Sequence, residues 1–95
     1  MPAMPLNLTH QRVLVLGAGV SGRAAVRLLQ HIGATAVLVD DNEAARAAAT
    51  ELAVDILTMA EAEASLADAA LVVTSPGIPP HHPFFAAAQA VGVPV

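Results

Sequence analysis

Ninety-five residues is the size of one small domain, and at 56% hydrophobic the chain has enough apolar side chain to fill a single core. Four arginines, no lysine and eight acids give a formal charge of −4, which excludes a broad basic surface for nucleic acid and a lysine-bearing phosphate loop of the ATP-hydrolysing kind. Cysteine is absent, so disulfides and thiolate metal sites are excluded, and the apolar run at 13–16 is too short for a membrane span or signal core.

Residues 1–11 read as a loose leader, with Leu6 and Leu8 against the sheet edge. Arg12 to Leu16 is continuously apolar after its first residue, the pattern of a strand buried on both faces. It runs into Gly17-Ala18-Gly19-Val20-Ser21-Gly22, a G-x-G-x-x-G turn, and then into a helical pattern. In such a turn Gly17 lets the backbone leave the strand, Gly19 removes a Cβ where a phosphate must come close, and Gly22 lets the helix lie tightly on the strand. The free N–H groups of the first helical turn and the positive end of its dipole then favour a diphosphate, with the Ser21 hydroxyl beside them. No histidine is placed by motif to make Ser21 a nucleophile. The alternative is a glycine turn that serves packing alone.

Val20, Ala24, Ala25, Leu28, Leu29 and Ile32 are expected to form the buried face of this helix, with Arg23, Arg27, Gln30 and His31 outside and Gly33 as the stop. Ala36 to Val39 predicts a second strand, reached by a right-handed crossover and ending in Asp40-Asp41-Asn42. Asp40 lies 18 positions past Gly22, where dinucleotide-binding folds place an acid that accepts from a ribose diol, and its charge disfavours a 2′-phosphate. Asp41 reads either as a second ligand-facing acid or as surface charge. Asn42 is the expected N-cap of a helix running to about Leu52.

Val54 to Leu57 predicts a third strand, and Ala60 to Leu66 a short helix with Glu61 and Glu63 on a solvated face. Ala69 to Thr74 predicts a fourth strand, followed by Ser75-Pro76-Gly77. The loops after strands one, two and four should therefore converge at one edge of the sheet, although Ser75-Pro76-Gly77 also fits a plain β-turn. His81-His82 reads as a surface pair, because adjacent residues rarely chelate one ion. Pro83 opens a helix through Ala90 that Gly92 stops, and Val93-Pro94-Val95 begins a fifth strand. A sheet ending in such a stub is expected of a piece of a longer protein. The expected fold is α/β, a Rossmann-like doubly wound parallel sheet of about five strands, with 12–95 as one domain.

Val13 to Gly22, the strand-end Asp40, and Thr74-Ser75-Pro76-Gly77-Ile78-Pro79 followed by His82-Pro83 resemble the N-terminal domain of the Mur ligases, over about Arg12 to Val95. Ser-Pro-Gly-Ile is similar to the D-glutamate-adding members, whereas the L-alanine-adding ligases tend to a Ser-Ala-Ile version. The resemblance implies a three-domain cytoplasmic enzyme of peptidoglycan synthesis. Its N-terminal domain holds the UDP part of UDP-N-acetylmuramoyl-L-alanine, its central domain binds ATP and magnesium, and its C-terminal domain helps bind D-glutamate. In that family ATP phosphorylates the precursor carboxylate and the amine of D-glutamate attacks the acyl phosphate. None of that chemistry is expected in these 95 residues, which should hold no catalytic residue, metal or cofactor of their own and meet neither nucleic acid nor membrane.

Carried over by position, Val20 and Ser21 would meet the diphosphate beside Gly19, and Asp40, Asp41 and Asn42 would meet the uracil end. Ser75, Pro76 and Gly77 would line the opposite wall. Asp41-Asn42 departs from the threonine and arginine of well-known members, so a cation near the uracil is missing. Two competing readings remain: the NAD- or FAD-binding half of an oxidoreductase, resting on the same loop and Asp40, and a nucleotide-sensing module.

Overall fold

The computed structural model describes residues 8–75, 78–79 and 81–95. Four strands, β1 (Arg12–Leu16), β2 (Thr35–Val39), β3 (Asp55–Leu57) and β4 (Leu71–Val73), form one sheet with every pair parallel, in the order β3-β2-β1-β4. The helices α1 (Val20–His31), α2 (Glu43–Ala48), α3 (Met59–Ala64) and α4 (Pro83–Ala90) follow the strands in turn. Successive strand side chains point to opposite faces, and β1 is apolar throughout its inner length because both faces are covered. Leu14 and Leu16 join Val37, Val39, Met59, Phe84 and Ala88 in one buried cluster, and Val13 and Val15 join Leu38, Val26, Leu29 and Leu52 in another.

The expected fifth strand is not formed among the described residues. Residues 93–95 form no strand, but Val72 donates its N–H to the Pro94 carbonyl at 2.8 Å, on the edge of β4 that β1 leaves free. Strand order changes direction at β1, since β2 and β3 lie to one side of it and β4 to the other. In an open parallel sheet a crevice forms at that point, outside the carboxyl ends of the strands.

The buried face of α1 differs from the expected one. Gly22, Val26 and Leu29 are buried, whereas Val20 is 89% exposed and Leu28 63%. The cause is Gly22, whose Cβ, if it had one, would lie 1.7 Å from the Gly17 carbonyl oxygen. Such a close approach is open only to the one glycine of this helix, and it fixes the rotation of α1 about its axis. Val26 and Leu29 fall on the same line at spacings of four and three; Val20, Ala24 and Leu28 fall beside it.

Helix stops follow expectation. Ala34 and Gly33 donate to the Leu29 and Gln30 carbonyls after α1, and Val93 and Gly92 to those of Ala88 and Gln89 after α4. Asn42 caps α2, its Oδ1 accepting from the Ala45 N–H at 2.9 Å, and the helix tightens into a 3-10 turn over Ala49–Leu52.

Thr58 supplies a cap that the sequence reading did not register, and Glu61, expected to be merely solvated, completes it. The Thr58 hydroxyl accepts from the Glu61 N–H at 3.2 Å, and Glu61 Oε1 accepts from the Thr58 N–H at 2.9 Å. The hydrogen bond from the Thr58 backbone, then that from its side chain, and the nearby charge of Arg46 hold the Glu61 carboxyl below its ordinary value. A carboxyl depressed by folding stabilises the native state above its unfolded pKa and loses that contribution as pH falls through the folded value. Protection of the Thr58 amide, which donates to this carboxylate, from hydrogen exchange is therefore expected to fall as the pH drops below the ordinary glutamate range. Glu61→Gln should keep the cap and lose the pH dependence; equal pH dependence in both proteins would contradict the assignment.

Candidate functional site

Three loop ends meet at the carboxyl edge of the sheet. Gly17 leaves β1 with φ +98°, a conformation that favours glycine, and donates its N–H to the Val39 carbonyl of β2 at 2.7 Å. A Cβ there would also stand 2.8 Å from Ser75 Oγ, so the loops after β1 and β4 touch. The next residue ties the first loop to the second: Ala18 donates its N–H to Asp40 Oδ2 at 2.8 Å. Asp40 Oδ1 accepts from the Asn42 N–H at 2.8 Å, and Asp41 Oδ1 accepts from the Met59 N–H at the start of α3, also at 2.8 Å.

Gly17, Val39, Asp40, Asp41 and Met59 of this group border a cleft of about 160 Å³. Its apolar lining is Val39, Met59 and Ile78; its polar lining is Asp40, Asp41 and His82, with Gly17 beside them. A larger hollow of about 260 Å³ shares Ile78 and is lined by Thr74, Ser75, Phe85 and Val95, but it carries no ionisable side chain. Position relative to the glycine loop, rather than size, singles out the smaller cleft.

The three glycines separate by what each position demands. Gly17 and Gly22 are required by the fold itself, through a positive φ and the contact with the Gly17 carbonyl. Gly19 is not: it is the N-cap of α1 with φ −76° and ψ −168°, which any residue adopts, and a Cβ there would meet none of the described residues within 4 Å. Among the described residues no side chain caps α1, and no acid lies in its first turn, so the leading N–H groups at Val20 and Ser21 stand at a helix start without a cap from these residues.

Several expectations are revised by this geometry. Asp40 does more than await a ribose, because each carboxylate oxygen already accepts a main-chain N–H; it fastens the glycine loop to the end of β2. Asp41 is bound to the start of α3 rather than being plain surface charge. The side-chain oxygen of Asn42 is taken by its capping role. Ser75 stands beside Gly17 as expected, and Pro76 and Gly77 lie outside the described residues.

Two residues were missed. Arg46, one turn past Asn42 on α2, donates to the Asp40 carbonyl at 2.9 Å, placing a cation at the end of β2; its spacing of four from the cap was the available signal. His82, taken for half of a surface pair, is half-buried, lines the cleft, and accepts from the Phe84 N–H through Nδ1 at 3.1 Å. Its position just before a proline at the first helical residue marks it as a cap.

Replacing Asp40 by alanine leaves the Ala18 and Asn42 N–H groups without this partner, and is expected to cost about 1–3 kcal/mol. Urea denaturation would measure it, and a loss below about 0.5 kcal/mol would contradict the fastening role.

Over residues 11–95 the sequence matches the family described as Mur ligase MurD-like, N-terminal domain. The chain belongs to this family. The MurD-like domain is 49% identical over 84 residues to the UDP-N-acetylmuramoylalanine--D-glutamate ligase of Mycolicibacterium smegmatis, a match covering 88% of this chain and 17% of that protein. With the ligase of the same name from Nocardia farcinica it shares 45% over 89 residues, 93% of this chain and 18% of the relative. It thus spans less than a fifth of the length of these curated relatives.

Among solved structures, the dipicolinate synthase A chain of Bacillus subtilis superposes with TM-score 0.72 at 20% identity, over 88% of the MurD-like domain and 28% of that chain. That likeness concerns the fold alone. The transhydrogenase of Sinorhizobium meliloti gives 0.65 at 27% identity, over 75% of this chain and 21% of the other. Among the described residues no group of three or more His, Asp or Glu is arranged to hold a metal ion, and no helix is long and apolar enough to cross a membrane.

Proposed function

We propose that residues 12–95 are the UDP-binding N-terminal domain of a ligase that adds D-glutamate to UDP-N-acetylmuramoyl-L-alanine in peptidoglycan synthesis, working in the cytoplasm. The observation that carries this reading is Gly19: nothing among the described residues calls for a glycine at the start of α1, which suits a ligand that approaches the main chain. The diphosphate would take the N–H groups at Val20 and Ser21, and the Ser21 hydroxyl beside them. The uracil end would lie against Asp40, Asp41 and Asn42, with Ser75, Pro76 and Gly77 forming the other wall.

ATP, magnesium and D-glutamate would be handled by parts of a longer protein outside these residues, where acyl-phosphate formation and amide formation would take place. This domain would contribute anchoring: it holds the nucleotide end so that the far end of the precursor reaches the reacting groups in a fixed orientation. Its four arginines and net charge of −4 suit binding through main-chain donors better than through a cationic surface.

The competing ligand is a nicotinamide dinucleotide, favoured by the acid at the end of β2. Isothermal titration of the chain with UDP and NAD separates the two. Measurable binding of UDP with none of NAD is expected, and saturable NAD binding without UDP binding would overturn the proposal.

A further inference from the structure

The cleft beside the glycine loop is rich in acceptors and poor in donors. Asp40 and Asp41 bring carboxylates to it, which when ionised only accept. Among the described residues that line it, one side chain carries an N–H: His82. The fold sets its tautomer. Nδ1 accepts from the Phe84 N–H at 3.1 Å as the cap of α4, and a nitrogen that accepts leaves the ring proton on Nε2. The backbone of His82 is held as well, since its N–H donates to the Pro79 carbonyl at 3.0 Å and Pro83 follows it with a fixed φ.

We infer that the Nε2–H of His82 donates to the 4-carbonyl oxygen of a uracil ring in this cleft and makes the cleft distinguish uracil from cytosine. The inference rests on the uridine reading proposed above and adds to it the residue that reads the base. Ile78, with the edge of Met59, supplies apolar surface for a face of a flat ring, and the polar groups meet its edge. A uracil edge presents a carbonyl, an imide N–H and a second carbonyl. The carboxylates are already oriented by the N–H groups of Ala18, Asn42 and Met59, and each keeps lone pairs for the imide N–H, while His82 supplies the donor that the carbonyl needs. Cytosine replaces that carbonyl with an amino group and the imide N–H with a bare nitrogen, so it sets donor against donor and carboxylate against lone pair. Specificity from such mismatched polar groups exceeds what apolar contact provides.

The test compares the wild-type chain with His82→Asn by calorimetric titration with UDP and with CDP, and follows the imidazole nitrogens of wild type by NMR. Asparagine is a favoured N-cap, so α4 keeps its cap, but it ends short of Nε2. The wild type should prefer UDP to CDP by at least about tenfold, and the variant should bind UDP about tenfold more weakly with the preference reduced towards one. UDP, but not CDP, should move the wild-type Nε2–H resonance. A variant with unchanged UDP affinity and unchanged preference overturns the inference and leaves the uridine site standing; a wild type that binds no UDP overturns both. If the variant fails to fold, an Nε2–H resonance unmoved at UDP saturation overturns the inference by itself.

Discussion

Gly22→Ala is expected to cost the domain at least about 3 kcal/mol, at the upper end of what one added methyl does to a packed interior. The new Cβ would sit 1.7 Å from the Gly17 carbonyl oxygen and 2.9 Å from its carbon. Both atoms are backbone, so no rotamer change relieves the contact. The remaining relief is to lift α1 away from β1, which withdraws Val26 and Leu29 from the cluster they share with Val13 and Val15. A domain of this size has about 5–15 kcal/mol of stability in total, so the loss is a large share of it. In a calorimeter the melting temperature should fall by at least about 10 °C. An unchanged melting temperature would mean that α1 does not lie on β1 through this residue.

Gly19→Val is expected to do the reverse, sparing the fold and removing the ligand. The N-cap backbone is extended and the space around a Cβ is open, so the cost to folding should stay within about 1 kcal/mol, the difference between glycine and a poor capping residue. The isopropyl group would cover the N–H groups at the start of α1. Losing charge-assisted bonds to a diphosphate is worth about 1.5–3 kcal/mol each, so UDP affinity should fall by about 100-fold. Calorimetric titration beside a thermal melt measures both effects on one sample. A variant that binds UDP within about threefold of wild type would place the diphosphate elsewhere.

The two substitutions lie three positions apart in one motif, and their opposite outcomes follow from what lies around each Cβ. The motif G-x-G-x-x-G assigns roles to both glycines, but only the three-dimensional packing distinguishes the role that the fold itself enforces. Much else at the site was legible beforehand, because it depends on local patterns. The apolar run of β1, the turn after it, the cap at Asn42 and the proline opening α4 each need only neighbouring residues to be recognised.

What escaped depends on contacts between distant segments. The rotation of α1 is fixed by Gly22 against Gly17, so counting apolar residues chose the wrong stripe and placed Val20 and Leu28 inside. Asp40 was assigned to a ligand by position; that its two oxygens also bind the main-chain groups of Ala18 and Asn42 was not visible. His82 looked like one of two surface histidines, and its place at the cleft lies in contacts with residues far from it in the chain, Val39, Asp40 and Asp41 at the end of β2. Thr58 and Glu61 are a local signal that could have been read, since threonine followed three residues later by glutamate is the capping-box pattern.

The central claim is that the loops after β1, β2 and β4 hold a uridine diphosphate through main-chain donors at the start of α1. A crystal structure of the chain soaked with UDP addresses it most directly. Phosphate oxygens about 2.7–3.2 Å from the amide nitrogens of Val20 and Ser21, with the ring between Asp40 and Ile78, are the predicted result. A nucleotide bound elsewhere on the molecule, with the start of α1 left bare, would contradict it.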